Sequence, residues 1–149
     1  ATIPCCAPPS GVVGFLEGIL HRSCNWQALQ KELGSEKDAK ELAREIFEIS
    51  DIRNYPPPLS LKSTVVIAGS QDLFVPKEAS QIFEDHWKGC EMQWISTSHV
   101  GGYLFYAKTL REGITKAFEN LSSESQTHKT TKRVTRKKQP AKDQKKKTR

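Results

Sequence analysis

Asp72 stands four residues after the apolar run Val65-Val66-Ile67-Ala68, and His99 stands four residues after Ile95, the last residue of Glu91-Met92-Gln93-Trp94-Ile95. A carboxylate beside an imidazole holds the ring in one tautomer through Nδ1–H and stabilises its charged form. The other ring nitrogen is then available as a general base, a role worth roughly 10²–10⁴-fold in rate. Histidine suits that work because its ordinary titration range lies near neutral pH. Each residue also has a simpler use. Asp72 can cap the helix that starts near Pro76 or stabilise a turn, and His99 can be a loop residue beside Gly101-Gly102. Their matched positions after successive strands favour the pair.

For the two to meet, the elements carrying them must be neighbours. Thr64 to Ala68 is β-branched and apolar without alternation, the pattern of a strand covered on both faces. Pro76 then opens a helix whose stripe is Ala79, Ile82, Phe83 and Trp87, its missing N–H costing little in a first turn. Glu91 to Ile95 partly alternates, with Met92 and Trp94 on one side, and suits a strand nearer the sheet edge. The last helix is expected over Gly102 to Leu121, with Leu110, Ile114, Ala117, Phe118 and Leu121 turned inward.

Upstream, Ala1 to Cys6 suits the end of a strand entering a loop, and Gly11 to Leu20 has helical spacing. The next helix starts at Ser35, where S-E-K-D resembles a capping box. Its stripe is Ala39, Leu42, Ala43, Ile46 and Phe47, and Pro56-Pro57-Pro58 closes the region. Strands alternating with helices imply an α/β fold with a mostly parallel sheet and flanking helices. Ligands and catalysis sit beyond the carboxyl ends of such strands, where Asp72 and His99 fall.

The 149 residues suit one domain, and their net charge of +6 is unevenly spread. Of 23 basic and 17 acidic residues, 11 and two lie from Ser122 onward, leaving 12 against 15 in residues 1–121. The body is mildly acidic and the tail strongly basic. With only Val134 and Ala141 as apolar residues, the tail cannot bury enough surface to offset its ordering entropy, so residues 122–149 are expected to be a disordered Lys/Arg-rich tail. The sharper uses of that tail are a nuclear signal, a nucleic-acid arm or contact with anionic lipid; the plainer one is a solvated extension. No aromatic residue interleaves with the charges, so base stacking is not supported.

Cys5, Cys6, Cys24 and Cys90 form no CxxC pair and lack histidines at zinc-finger spacing, so buried free thiols are expected, with no metal and no cofactor. The apolar stretch from Val12 to Leu20 is interrupted by Gly14, Glu17 and Gly18 and is too short to span a bilayer. Cys5-Cys6 as a thiol nucleophile has no histidine near it in sequence. His21, His86 and His128 suit solvated positions, and Trp26, Trp87 and Trp94 suit packing. The chain opens Ala1-Thr2-Ile3-Pro4 and is expected to be a fragment of a longer polypeptide. An intracellular setting is favoured, with nuclear or membrane-surface association open through the tail.

The stretch VVIAGSQDLFVPKEA followed by GCEMQWISTSHVGGYL resembles the last third of an alpha/beta-hydrolase, in which nucleophile, acid and histidine follow in that order. PPSGVVGFLEGIL with CNWQAL, DIRNYPPPL, HWKGCEMQWISTSHVGGYLF and REGITKAFENL resemble, more narrowly, the family of abhydrolase domain-containing protein eighteen and its plant relatives. This resemblance spans most of residues 1–121 and none of the tail. It implies that residues 1–121 are the carboxyl-terminal portion of an alpha/beta-hydrolase domain, with Asp72 as the charge-relay acid and His99 as the general base. The connection from about Gly34 to Leu59 would correspond to a cap region. The implied nucleophile is a serine on a G-x-S-x-G elbow, a motif residues 1–149 do not contain, so it would lie upstream. The expected activity is that of an esterase or lipase-like serine hydrolase acting on a small-molecule or lipid ester, the 149 residues alone being inactive. The rival expectation is a non-catalytic interaction protein of hydrolase fold that reaches nucleic acid or anionic membrane through its tail.

Overall fold

Both faces of the strand Val65–Gly69 (β1) are covered, which is why its sequence is apolar without alternation: all five residues are buried. The computed structural model describes the backbone of residues 1–137 and the side chains of residues 1–126. β1 pairs in parallel with Glu91–Ile95 (β2), in a register that sets Val65 beside Glu91 and Gly69 beside Ile95. On its other edge the amino-terminal segment runs parallel to it, through bridges of Thr2 with Thr64 and Cys5 with Ile67. The Val65 and Ile67 amides donate to the Thr2 and Pro4 carbonyls at 3.0 and 2.9 Å. β1 is therefore central among three parallel tracks.

Helices cover this sheet as the side-chain period of two requires. Val66 faces one side, where Phe83 and Trp87 pack with Ile52, Leu61 and Met92 around it; Phe83 belongs to the helix Lys77–His86. Val65 and Ile67 face the other, against Ile95 and Ala117, with Ile3, Tyr106 and Leu110 closing the cluster. Each such buried side chain contributes about 1.5–3 kcal/mol of transfer free energy. The chain is thus α/β, with a small parallel sheet and flanking helices.

The helices before the sheet are Trp26–Leu33 (α1) and Glu36–Glu48 (α2). Ser35 caps α2, its side chain accepting the Asp38 amide at 3.0 Å. α1 was not anticipated, although its signals are present: Asn25 accepts the Ala28 amide at 3.1 Å, and Gly34 ends the helix at φ 91°. Residues 13–23 form a π-helical turn, Val13–Glu17, and a 3₁₀ segment, Ile19–Ser23, separated at Gly18. In α2 only Ala39, Ala43 and Phe47 of the expected stripe are covered; Leu42 and Ile46 are exposed.

After Lys77–His86 (α3) and β2, the expected last helix proves to be two: His99–Phe105 (α4) and Ala107–Lys137 (α5), parted at Tyr106. The inward stripe of α5 also differs. Ile114 and Phe118 are exposed, while Gly113 and Ala117 face the sheet. The reason is close approach: a Cβ on Gly113 would lie 2.7 Å from Ile67 Cδ1, so the glycine lets the helix settle directly on β1. α5 then passes the expected end at Leu121 and continues as a helix to Lys137. Extending a helix already nucleated on a core costs little per residue. Asn120 and Glu124 also anchor it, the first donating to the Lys62 carbonyl at 2.8 Å and the second accepting from the Ser60 and Ser63 hydroxyls. The tail expectation for residues 138–149 lies outside the described residues. Among the described residues no helix is long and apolar enough to cross a membrane.

Candidate active site

Two loops leave the carboxyl ends of β1 and β2 and are tied to each other before either delivers its side chain. The Ser70 amide donates to the Ile95 carbonyl at 2.9 Å, and the Gln71 amide to the Thr97 carbonyl at 3.1 Å. Gly69 makes this closeness feasible, because a Cβ there would lie 2.8 Å from the Thr97 carbonyl oxygen. The strand-end spacing read from the sequence thus becomes a direct juxtaposition.

Asp72 and His99 meet: His99 Nδ1 lies 2.8 Å from Asp72 Oδ2. The Asp72 side chain is 1% exposed and that of His99 28%. Asp72 divides its oxygens between two tasks. Oδ1 accepts the amides of Phe74 and Val75 at 2.8 and 3.0 Å, the turn-stabilising use the sequence left open, while Oδ2 faces the imidazole. A carboxylate can only accept, so the imidazole donates from Nδ1, and Nε2 has no hydrogen-bond partner among the described residues. His99 is also not a loop residue. It is the first residue of α4, whose N-cap Ser98 accepts the Gly101 amide at 3.3 Å.

Two aromatic residues that the sequence reading did not single out touch the imidazole. Phe74 lies with its ring centre 5.0 Å from that of His99, tilted by 37°, and Tyr103 presents an edge contact at 5.9 Å and 61°. Tyr103 could have been found, since it is one helical turn after His99, once the helix is known to start there. Its hydroxyl donates to the Cys5 carbonyl at 3.1 Å. Burial, with Cys6, Cys5 and Asp72 nearby, holds the Tyr103 phenol above its ordinary value of 10.0.

Beside this site opens a cavity of about 530 Å³, whose lining includes Leu16, Ile19 and Leu73 together with Glu17, His21 and Arg22. Leu73 follows Asp72 directly, although neither Asp72 nor His99 lines the cavity. The cysteines are all free. Cys6 is buried, and burial first, then Asp72 and Cys5, pushes its thiol above the ordinary 9.0, the opposite of an activated thiol nucleophile. Among the described residues no cluster of His, Cys, Asp and Glu has the arrangement of a metal site. His21 makes a tilted ring contact with Trp26, and His86 bonds the Tyr55 carbonyl.

What this arrangement can do is accept and return a proton at Nε2 while a buried carboxylate steadies the ring. No solved structure matches the chain. Residues 34–120, more than half of it, match the family model described as alpha/beta hydrolase domain containing 18, and this span includes β1, β2, Asp72 and His99. The chain belongs to the alpha/beta hydrolase domain containing 18 family.

Proposed function

We propose that Asp72 and His99 are the acid and the general base of a serine hydrolase acting on a carboxylic ester, an acyl lipid being the favoured kind. The observation that carries this reading is the 2.8 Å contact of His99 Nδ1 with buried Asp72, on a ring that is partly exposed and whose Nε2 is unengaged among the described residues. In the reaction, Nε2 takes the proton of the serine hydroxyl as the oxygen attacks the ester carbonyl. The same nitrogen then gives that proton to the departing alkoxide. Water repeats the sequence on the acyl-enzyme to release the acid. Asp72 keeps its charge throughout and stabilises the imidazolium that forms. The nucleophile in this reading is a serine on a G-x-S-x-G elbow outside residues 1–149, which contain no such motif, so these residues by themselves are expected to be inactive. The test is fluorophosphonate labelling of the native full-length polypeptide. Labelling that disappears in His99→Ala supports the reading, and labelling that persists unchanged overturns the assignment of His99.

A second reading is favoured by one observation, the continuation of α5 as a helix into the basic stretch as far as Lys137. In it the chain contacts nucleic acid or an anionic membrane through its basic tail, residues 122–149. Because Glu124 belongs to the fold's anchoring, the test replaces Lys and Arg beyond residue 128 by glutamine and leaves the helix start intact. Salt-sensitive binding to nucleic acid or anionic vesicles that survives this change counts against the reading.

A further inference from the structure

A single hydrogen bond fixes one point of an imidazole and leaves the ring free to swing about that bond. The Asp72–His99 contact alone therefore does not decide where Nε2 points. Base catalysis is sensitive to that direction, since a misplacement of about 1 Å can cost on the order of 10²-fold. The structure supplies further restraints from separate parts of the chain. Phe74 comes from the loop after β1, where its own amide is held by Asp72 Oδ1 at 2.8 Å. Tyr103 comes from α4, one turn beyond His99, and its hydroxyl reaches across 98 positions of sequence to the Cys5 carbonyl at 3.1 Å. Cys5 sits at the end of the amino-terminal track, beside Ile67 of β1. The imidazole is thus referred to all three parallel tracks of the sheet: to the first through Tyr103 and Cys5, to β1 through Asp72 and Phe74, and to β2 through its own position on α4.

We infer that Tyr103 is a positioning residue for His99, its ring setting the plane of the imidazole and its hydroxyl tether to Cys5 fixing that ring in turn, with Phe74 as the second aromatic contact. The inference rests on the hydrolase reading for its catalytic meaning. The phenol is held above its ordinary value by burial, so its hydroxyl remains a donor through neutral pH.

The experiment compares Tyr103→Phe, which keeps the ring and removes the tether, with Tyr103→Ala, which removes both, in the native full-length polypeptide. Two readouts are taken: the fluorophosphonate labelling rate, and the Nδ1 proton resonance of His99 in ¹⁵N-histidine-labelled protein. The expected result is a labelling rate lowered about tenfold in Tyr103→Phe and on the order of 10²-fold in Tyr103→Ala. The Nδ1 proton signal is expected to broaden in the same order, while the thermal midpoint of Tyr103→Phe stays at the wild-type value. Both variants keeping a wild-type labelling rate and a sharp Nδ1 proton would overturn the inference. Should Tyr103→Ala fail to fold, Tyr103→Phe decides alone by the same readouts. If wild-type protein is not labelled at all, it is the hydrolase reading that fails; the Nδ1 proton then decides the positioning of the ring, broadening supporting it and sharpness refuting it.

Discussion

The two ends of the same small sheet each hold a carboxylate against hydrogen-bond donors, yet only at one end is the partner an imidazole. At the carboxyl ends of the strands, Asp72 meets His99, whose side chain is partly exposed and whose second ring nitrogen has no hydrogen-bond partner among the described residues. At the amino ends, Glu124 accepts from the Ser60 and Ser63 hydroxyls, and Glu91 pairs with Lys116 at 2.6 Å. Hydroxyls and an ammonium tie α5 to the strand starts, but none of them offers a base with a free face at neutral pH. A short contact to a carboxylate is thus no sign of function by itself. What distinguishes the carboxyl end is an imidazole with one nitrogen on the carboxylate and the other unengaged among the described residues, at the edge where ligands sit in parallel α/β sheets generally.

That contrast is broken or sharpened by substitutions at each end. The largest effect is expected from His99→Ala: on the proposed hydrolase reading, ester hydrolysis by the native full-length polypeptide falls roughly 10²–10⁴-fold, and stability by urea unfolding falls by about 1–3 kcal/mol because buried Asp72 Oδ2 loses its donor. An equal loss from Glu124→Ala would erase the distinction. Next comes Ile67→Ala, beneath both ends at once. This fully buried side chain packs against Val65, Ile95 and Ala117, and its truncation should cost about 2–5 kcal/mol by urea unfolding. Glu124→Ala is expected to lower stability by about 1 kcal/mol, because the Ser60 and Ser63 hydroxyls lose a charged acceptor and keep only their bond to each other, while activity per folded molecule stays at the wild-type level.

The smallest effect concerns Lys116. Its hydrogen bond to Glu91 is the leading cause that holds this carboxyl below its ordinary 4.5, against a burial effect that raises it. A carboxyl lowered in the folded state stabilises the fold above the unfolded value, and that contribution disappears as pH falls through the folded value. Wild type should therefore exceed Lys116→Ala by less than about 1 kcal/mol near neutral pH, and the two unfolding curves should converge in acid. A difference that grows in acid would show that the pair is not what joins α5 to β2.

Much of the site was legible from the sequence because it rests on local patterns. An unalternating apolar strand, a proline in the first turn of a helix and an acid four residues past the strand place Asp72, and the spacing after Ile95 places His99. The parallel register between the two strands was implied by their alternation with helices and is what the structure shows. Less legible were the features that depend on approach distance. Leu110, Ile114, Ala117, Phe118 and Leu121 form a plausible stripe, but Gly113 lets α5 sit so close to Ile67 that the stripe rotates, leaving Ile114 and Phe118 exposed. The end of α5 was missed for a related reason: composition argues against order after Ser122, while Glu124 has its partners some sixty positions earlier.

By itself the sequence determined the α/β class, a strand over Thr64 to Ala68 covered on both faces and which two side chains follow successive strands, since hydrophobic period and chain order depend on neighbours along the chain. Only the tertiary structure decided that Asp72 splits its oxygens between a turn and an imidazole, that His99 begins a helix, and that Phe74 and Tyr103 touch the ring. Those outcomes rest on distances between segments far apart in sequence. Contacts such as Tyr103 with Cys5 follow from how closely the glycines let loops and helices approach, and no local pattern carries that information.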